Sequence, residues 1–313
     1  MINNDRGQSL ITKYVWVIET IYKAGKISFR ELNRRWLDND ISRGKEIPKR
    51  TFDNWRYVIW DMFGIDIANE NRGEYRYYIS NVDDIRKDGL RSWLYNTFCV
   101  SNALADSESI RDRILLEYVP SGREHLATVI RAMKENRVLT LTYQSYWKEE
   151  ESHYDVQPYC VKLFRQRWYM VARKTDPEFA GQAPHTYALD RIISLQPTDA
   201  TFRMPGDWDA ETFFRDSFGI ITDPEVGDCD VTLKVSAGQA NYLRDLKLHE
   251  TQRETERTPQ YSIFTLHLRP TFDFQQELLW NGDALEVLEP LWLRKEMAAK
   301  ITQMGNRYKN DFS

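Results

Sequence analysis

"FRQRWYMVARK", residues 164–174, sets a tryptophan, a tyrosine and a methionine side by side and brackets them with arginines. If a hairpin turn falls at Arg165-Gln166, Trp168, Met170 and Ala172 point to one face of a strand and Tyr169 and Val171 to the other. Apolar bulk on both faces then means burial on both faces, and the arginines mark strand ends. Working outward, "RVLTLTYQSYW" alternates from Val138 to Trp147, "HYDVQPYCVKLF" covers 153–164 and "HTYALDRIISLQP" covers 185–197. An amphipathic helix at 122–136 precedes them, with Leu126, Val129, Ile130 and Met133 on one face. Short strands at tight spacing after one helix predict a small, strongly bent sheet or barrel.

The amino-terminal third reads differently. Leu10, Ile11, Tyr14, Val15, Ile18, Ile21 and Tyr22 recur at helical spacing, and Gly25 stands where a left-handed terminating residue belongs. "SFRE", 28–31, matches a capping box, with Ser28 accepting from the amide three residues on and Glu31 reaching back. Phe29, Leu32 and Trp36 stripe the helix that follows. "IPKRTFDNWRYVIWDMFG" opens with Pro48 at a tolerated position, buries Phe52, Trp55, Ile59, Met62 and Phe63, and closes at Gly64. Ile65 to Ala68 and Tyr75 to Ser80 then read as two strands around Asn71-Arg72-Gly73. Three helices and a β-hairpin are the order of a winged helix-turn-helix. The connection from Leu37 to Ile47 is longer than the usual turn between the second and third helices, and Arg43 and Lys45 within it are further candidates for backbone contact.

Charge is uneven along the chain. Net charge is −4, yet from Lys23 to Arg56 ten Lys/Arg face five Asp/Glu, whereas after residue 80 there are 29 against 36. A basic island in an acidic chain suits a polyanion, and a solvated helix face is the plain alternative. Lys49, Arg50, Thr51, Asn54 and Arg56 lie on or near the face opposite the apolar stripe of the third helix, where Arg can read guanine and Asn adenine; Arg72 at the wing tip can reach phosphate or minor groove. These six are the candidate DNA-binding residues.

Residues 81–121 read as a helical linker: Leu90, Trp93, Leu94, Phe98 and Leu104 on one helix, then an apolar segment from Ile114 to Val119. Either its own domains or a second chain could cover that surface, the latter in a homodimer reading two half-sites. "DWDAETFFRDSFGI", 207–220, is a linking helix, and the chain from 228 runs β-α-β-β-α-β before a final helix from Pro290. That order is ferredoxin-like.

"RWYMVA" after "YDVQPYCVKLF", with "YALDRI" some twenty residues on, resembles the WYL domain of bacterial transcriptional regulators, Trp168-Tyr169-Met170 standing for the Trp-Tyr-Leu triplet. The Leu-to-Met departure conserves volume. "IPKRTFDNWRYVIWDMFGIDI" is similar to the winged-helix reading head of such regulators and "LEVLEPLWLRKEMAAKI" to the close of their C-terminal extension. The resemblance implies an Sm-like or SH3-like barrel that binds a nucleotide or nucleic-acid effector. It implies candidate ligand-binding residues at Tyr143, Ser145, His153, Arg165, Trp168, Tyr169 and Arg191, arginines for phosphate and aromatic faces for bases. Trp168 also fits plain core, Arg191 a pair with Asp190, and His153 an ordinary surface histidine.

The expected architecture is α+β and multidomain: 1–80 a winged helix-turn-helix, 81–121 a helical linker and possible dimer element, 122–204 the WYL barrel, and 205–313 the ferredoxin-like extension. No cofactor or metal is expected, because five scattered histidines form no HExxH pair and no Gly-rich phosphate loop or GxSxG elbow exists. Cys99, Cys160 and Cys229 have no paired spacing and read as reduced thiols, and a polar amino terminus with no long apolar run predicts a cytoplasmic protein. The expectation is a homodimeric, ligand-responsive regulator of operator DNA and not an enzyme, a repressor in its leading form; antiphage defence genes as its targets are what the resemblance implies. A single-stranded nucleic-acid-binding protein or an activator in a DNA-damage response is the alternative, and a nuclease a third.

Overall fold

The computed structural model describes residues 4–70, 73, 75–82, 89–105, 113–115, 119–146 and 148–309, and the chain divides into two compact units, 1–117 and 118–313. Among the described residues no helix is long and apolar enough to cross a membrane.

The first unit contains α1 (Asn4–Ala24), α2 (Phe29–Leu37), α3 (Lys49–Phe63), the strands β1 (Ile67–Asn69) and β2 (Tyr77–Ile79), and α4 (Leu90–Ala105). Local signals set its boundaries. Gly25 and Gly64 take left-handed φ of 67° and 64° after α1 and α3, a conformation glycine adopts without penalty. Ser28 caps α2 by accepting from the Glu31 amide at 3.2 Å, but Glu31 does not reach back; its carboxylate is held by Arg34 and Arg35 one turn on, so the capping box is half made. β1 and β2 pair antiparallel, Ile67 opposite Ile79 and Asn69 opposite Tyr77. Ile18, Ile21, Leu32, Phe52, Ile59 and Ile67 are wholly buried in one core. Tyr95 of α4 is buried in that same core, and Phe63 meets Tyr95 and Phe98 edge-on at 6.2 and 5.7 Å. Of the apolar stripe read as a linker surface, Phe98 therefore packs within its own unit, whereas Trp93 is exposed and the Leu90 and Leu104 side chains lie outside the described residues.

The long connection between α2 and α3 is anchored rather than loose. Asn33 brackets Ile47 through both its amide nitrogen and its carbonyl oxygen (2.8 and 3.0 Å), and the Trp36 indole donates to Lys45 O at 2.8 Å. Backbone is tied down, while the Arg43 and Lys45 side chains face outward.

In the second unit, α5 (Arg123–Glu135) precedes β3 (Arg137–Tyr143), β4 (Ser152–Phe164), β5 (Arg167–Lys174), β6 (His185–Ala188) and β7 (Ile192–Thr201). These five form one antiparallel sheet in the order β6-β5-β4-β3-β7. The two edge strands are consecutive in sequence and joined by only Leu189–Arg191. Three residues span at most about 10 Å, whereas the edges of a flat five-stranded sheet stand roughly 19 Å apart. The sheet must curl until its edges approach, which gives it a barrel-like form with β6 and β7 as unpaired edges. The stretch 185–197 is thus two strands and a 3-10 turn, not one strand. The β4–β5 turn does fall at Arg165-Gln166, both with positive φ (48° and 64°), as a two-residue hairpin of right-handed twist requires. Met170 and Ala172 fill the barrel with Trp168 packed against them, while Tyr169 and Val171 are buried on the other face. α5 covers the barrel with Val129 and Ala132; Ile130, expected on that face, is half exposed.

A short helix, α6 (Ala210–Phe214), leads into β8 (Cys229–Ser236), α7 (Ala237–Asp245), β9 (Arg253–Arg257), β10 (Tyr261–Leu268), α8 (Phe272–Trp280), β11 (Leu285–Glu289) and α9 (Leu291–Lys309). The sheet order is β11-β8-β10-β9, every pair antiparallel, around a core of Val231, Leu233, Phe264, Leu266, Phe274 and Leu293. The β4–β5 hairpin tip meets this part of the chain. Phe164, Phe218 and Phe274 stack in series at 6.0 and 5.6 Å, Lys162 Nζ donates to Gly219 O at 2.6 Å, and Arg165 pairs with Glu277. A Cβ on Gly219 would lie 2.6 Å from the Asp273 carboxylate and 2.7 Å from the Phe164 ring, so only glycine fits there.

Candidate nucleic-acid and effector sites

The first candidate site is the solvent face of α3. Its apolar residues Phe52, Trp55, Ile59 and Phe63 face the core, which turns Arg50, Asp53, Asn54 and Tyr57 outward. The predicted residues divide into two kinds. Lys49 and Arg56 are engaged within the unit. Lys49 Nζ meets Asp53 at 2.5 Å and stands 5.1 to 5.5 Å from the ring centroids of Tyr77, Phe52 and Phe29. Burial there works against its charge, but the bonds to Asp53 and Tyr77 outweigh it and its pKa is raised. Arg56 Nε donates to Ile67 O at 2.7 Å, bracing α3 against β1, with its guanidinium over Tyr77. Arg50 and Asn54, by contrast, are exposed and make no hydrogen bond or ion pair among the described residues, and Thr51 is half-buried between them. Arg72 lies outside the described residues, as do Leu116 and Tyr118 of the apolar segment after α4.

The second is one end of the barrel, around the 3-10 turn Leu189–Arg191. α5 holds that turn from outside. Gly122, at φ 63°, precedes the helix with no room for a side chain, since a Cβ would fall 2.3 Å from the Leu189 carbonyl carbon, and His125 Nε2 lies 3.1 Å from Ile192 O. The Arg191 carbonyl accepts from Gln144 N at 3.1 Å, which binds the turn to the end of β3. The Arg191 guanidinium lies 3.7 Å from the centroid of the exposed Tyr146 ring, a cation–π stack. Its Nε is buried and has no hydrogen-bond partner among the described residues. Asp190 does not pair with its neighbour Arg191; it takes Arg167 in a two-pronged ion pair, its carboxylate almost wholly buried.

Tyr143 accepts from Ala188 N at 3.2 Å and packs edge-on to Tyr187 at 5.3 Å. Burial raises the pKa of both Tyr143 and Tyr169, opposed at Tyr143 by Arg191 and at Tyr169 by Arg167 and Arg191. Tyr187, only 4% exposed, has a hydroxyl without a partner among the described residues, and burial pushes its pKa up as well. A buried donor left unmatched costs about 1–3 kcal/mol, so Arg191 Nε and Tyr187 Oη are the two atoms of the barrel with most to gain from a bound polar group or water.

The structure therefore gathers Tyr143, Tyr169 and Arg191, with half-buried Ser145 next along the chain, and leaves the other predicted residues elsewhere. Arg165 is on the hairpin tip with Glu277. His153 pairs across strands with Thr142, its Nδ1 3.1 Å from Thr142 Oγ1, on the sheet face opposite Tyr143 because neighbours along a strand alternate. Trp168 packs on the barrel core. Tyr146, Arg167 and Asp190 complete the site. Reading 185–197 as one strand named Arg191 but left Asp190 out of the site, and Arg167 looked like a strand-end charge. Among the described residues no group of three or more His, Cys, Asp or Glu is placed to hold a metal ion.

Comparison with known proteins follows these two regions of the second unit. The WYL domain model matches residues 124–197, which takes in α5 and the barrel, and the WCX domain model matches 227–305, which takes in the second sheet and its helices. No curated protein matches the chain. Among solved structures, proteasome accessory factor B/C (PafBC) of Arthrobacter aurescens is 17% identical with a TM-score of 0.35; the match covers 92% of this chain, which spans only 45% of that one. A CRISPR Cas-related protein is 12% identical with a TM-score of 0.40, covering 98% of this chain and 86% of the other. The chain thus carries a WYL domain built around Trp168-Tyr169-Met170, followed by a WCX domain.

Proposed function

We propose that this WYL-domain protein is a ligand-responsive, DNA-binding transcriptional regulator. Residues 1–80 act as a winged helix-turn-helix with α3 as the reading helix, the barrel senses a nucleotide or nucleic-acid effector, and the β-α-β-β-α-β extension is ferredoxin-like. The observation that carries the reading is on α3. Arg50 and Asn54 stand exposed and uncommitted at the start of a helix whose opposite face is fully buried, while the other basic residues near them hold the unit together. Free guanidinium and carboxamide groups on one helix face are the donors and acceptors that read guanine and adenine in the major groove. At the barrel, Arg191 offers an unsatisfied buried N–H beside the exposed Tyr146 ring, a pairing suited to a phosphate next to a stacked base. Two copies reading two half-sites, argued from the apolar segments of 81–121 and closed symmetry, extend this reading, as do repression and, from the sequence resemblance, antiphage defence genes as targets.

A mobility-shift assay with DNA from upstream of the protein's own gene, with and without short oligonucleotides, tests it. The expected result is a specific shift that oligonucleotides weaken or strengthen. Binding of single strands alone, with no preference for any duplex, would replace the operator reading with that of a single-strand-binding protein. Cleavage that depends on a divalent metal would replace it with a nuclease.

A further inference from the structure

α3 carries one more group that its basic character conceals. Tyr57 is 71% exposed, in the middle of a helix whose other side is core. At 100° per residue, Arg50, Asn54 and Tyr57 fall within about 60° of arc, and at 1.5 Å per residue they stand at roughly 0, 6 and 10.5 Å along the axis. Asp53 lies beside this row but is neutralised by Lys49 and Arg56. Asp61, the next exposed residue in line after Tyr57, is an acid and would be repelled by phosphate. The usable face therefore begins at Arg50 and ends at Tyr57. An exposed phenol ring at that end is not there for packing, because Phe52, Trp55, Ile59 and Phe63 already fill the core side.

In the major groove, guanine offers N7 and O6, adenine N7 and N6, and only thymine offers an apolar group, its C5 methyl. Resting on the reading of α3 as a DNA-contacting helix, we infer that Tyr57 is a specificity-determining residue that packs its ring on a thymine methyl. The α3 row then reads, in order, a guanine through Arg50, an adenine through Asn54 and a thymine through Tyr57, within one half-site. Neither Lys49 nor Arg56 reads a base: the first is held on an aromatic floor and the second on Ile67 O.

The test uses the full chain and a duplex selected by it from random sequence. In that duplex each thymine is replaced in turn by deoxyuridine, which removes the methyl and nothing else. One position is expected to weaken wild-type binding about fourfold, the value of one buried methyl-sized group, and Tyr57→Ala is expected to be insensitive to that replacement. Tyr57→Phe keeps the ring and is expected to keep the sensitivity. Three results overturn the inference while leaving the regulator intact: no thymine whose methyl matters, a methyl effect that persists in Tyr57→Ala, or Tyr57→Phe behaving as Tyr57→Ala, which would mean the hydroxyl binds phosphate instead. Failure to select any duplex overturns the DNA-binding reading itself and this inference with it. Tyr57 is exposed, so both variants are expected to fold, which circular dichroism checks.

Discussion

The exposed face of α3 and the turn end of the barrel both concentrate arginine and aromatic side chains, yet they treat them in opposite ways. On α3 the structural cations are segregated from the free polar groups: Lys49 and Arg56 brace the unit, and Arg50 and Asn54 are left to solvent. In the barrel the cations are drawn into the fold, Arg167 onto the nearly buried Asp190 and Arg191 onto Tyr146 with its Nε unsatisfied. A solvated guanidinium costs the fold nothing and meets its ligand with little reorganisation. A half-buried one with an orphan N–H stores a bias toward whatever can complete it. The contrast suits a surface that docks on a long polyanion in one case and a partly buried site that favours a completing polar group in the other.

The largest expected effect tests whether the barrel's charges are architecture. Asp190→Ala leaves Arg167 without its partner in a half-buried setting and is expected to cost about 3 kcal/mol of stability, read from urea unfolding; a loss under 0.5 kcal/mol would show that the pair is not structural. Next, Arg50→Ala is expected to leave unfolding unchanged and to weaken operator binding by about 1–3 kcal/mol. A stability loss instead would erase the distinction between the two regions.

Arg191→Ala is expected to abolish the effector's influence on DNA binding while basal binding persists, because coupling of roughly 1–3 kcal/mol needs differential contact with the effector. If it removed operator binding with the fold intact, the division of labour would be wrong. A subtler effect concerns Lys162, half-buried against Phe214 and Gly219 O, whose pKa burial pushes down to about 8, partly offset by Asp273. Above pH 8 the unfolded chain still holds this proton and the folded chain has released it, so stability gains a rising contribution from about pH 8 toward 10. Tyrosines with raised pKa act the other way above about pH 10. Lys162→Met is expected to flatten the urea midpoint across that window; an unchanged slope would refute it. The smallest effect is that of Arg165→Ala. Arg165 is exposed, and loss of its bond to Glu277 is expected to cost under about 1 kcal/mol, measured by thermal unfolding.

Much of this was legible in residue order because it rests on local chemistry. Ser28, Gly25 and Gly64 announce helix ends, and the period-two runs announce strands, including the turn at Arg165-Gln166 despite its lack of glycine. That Arg50 and Asn54 face outward was legible too, since they sit opposite a plain apolar stripe. What escaped was contact at a distance. Arg56 looked like a DNA ligand and is a brace to a carbonyl eleven residues on; Arg165 looked like a pocket residue and pairs with Glu277, 112 residues away. Glu31 illustrates the same point within one turn, where two arginines outbid the cap.

The sequence by itself determined the elements, their order and the side chains each presents, because helical and strand periodicities and terminal residues act within a few positions. It also carried the WYL resemblance that the domain models bear out. Only the tertiary structure decided which charges are free. Closing the sheet through three residues put Asp190 beside Arg167 and Arg191 beside Tyr146, and docking α3 on the hairpin fixed Arg56 and Lys49. Whether a cation is spoken for depends on burial and on partners far along the chain, and neither is a local property.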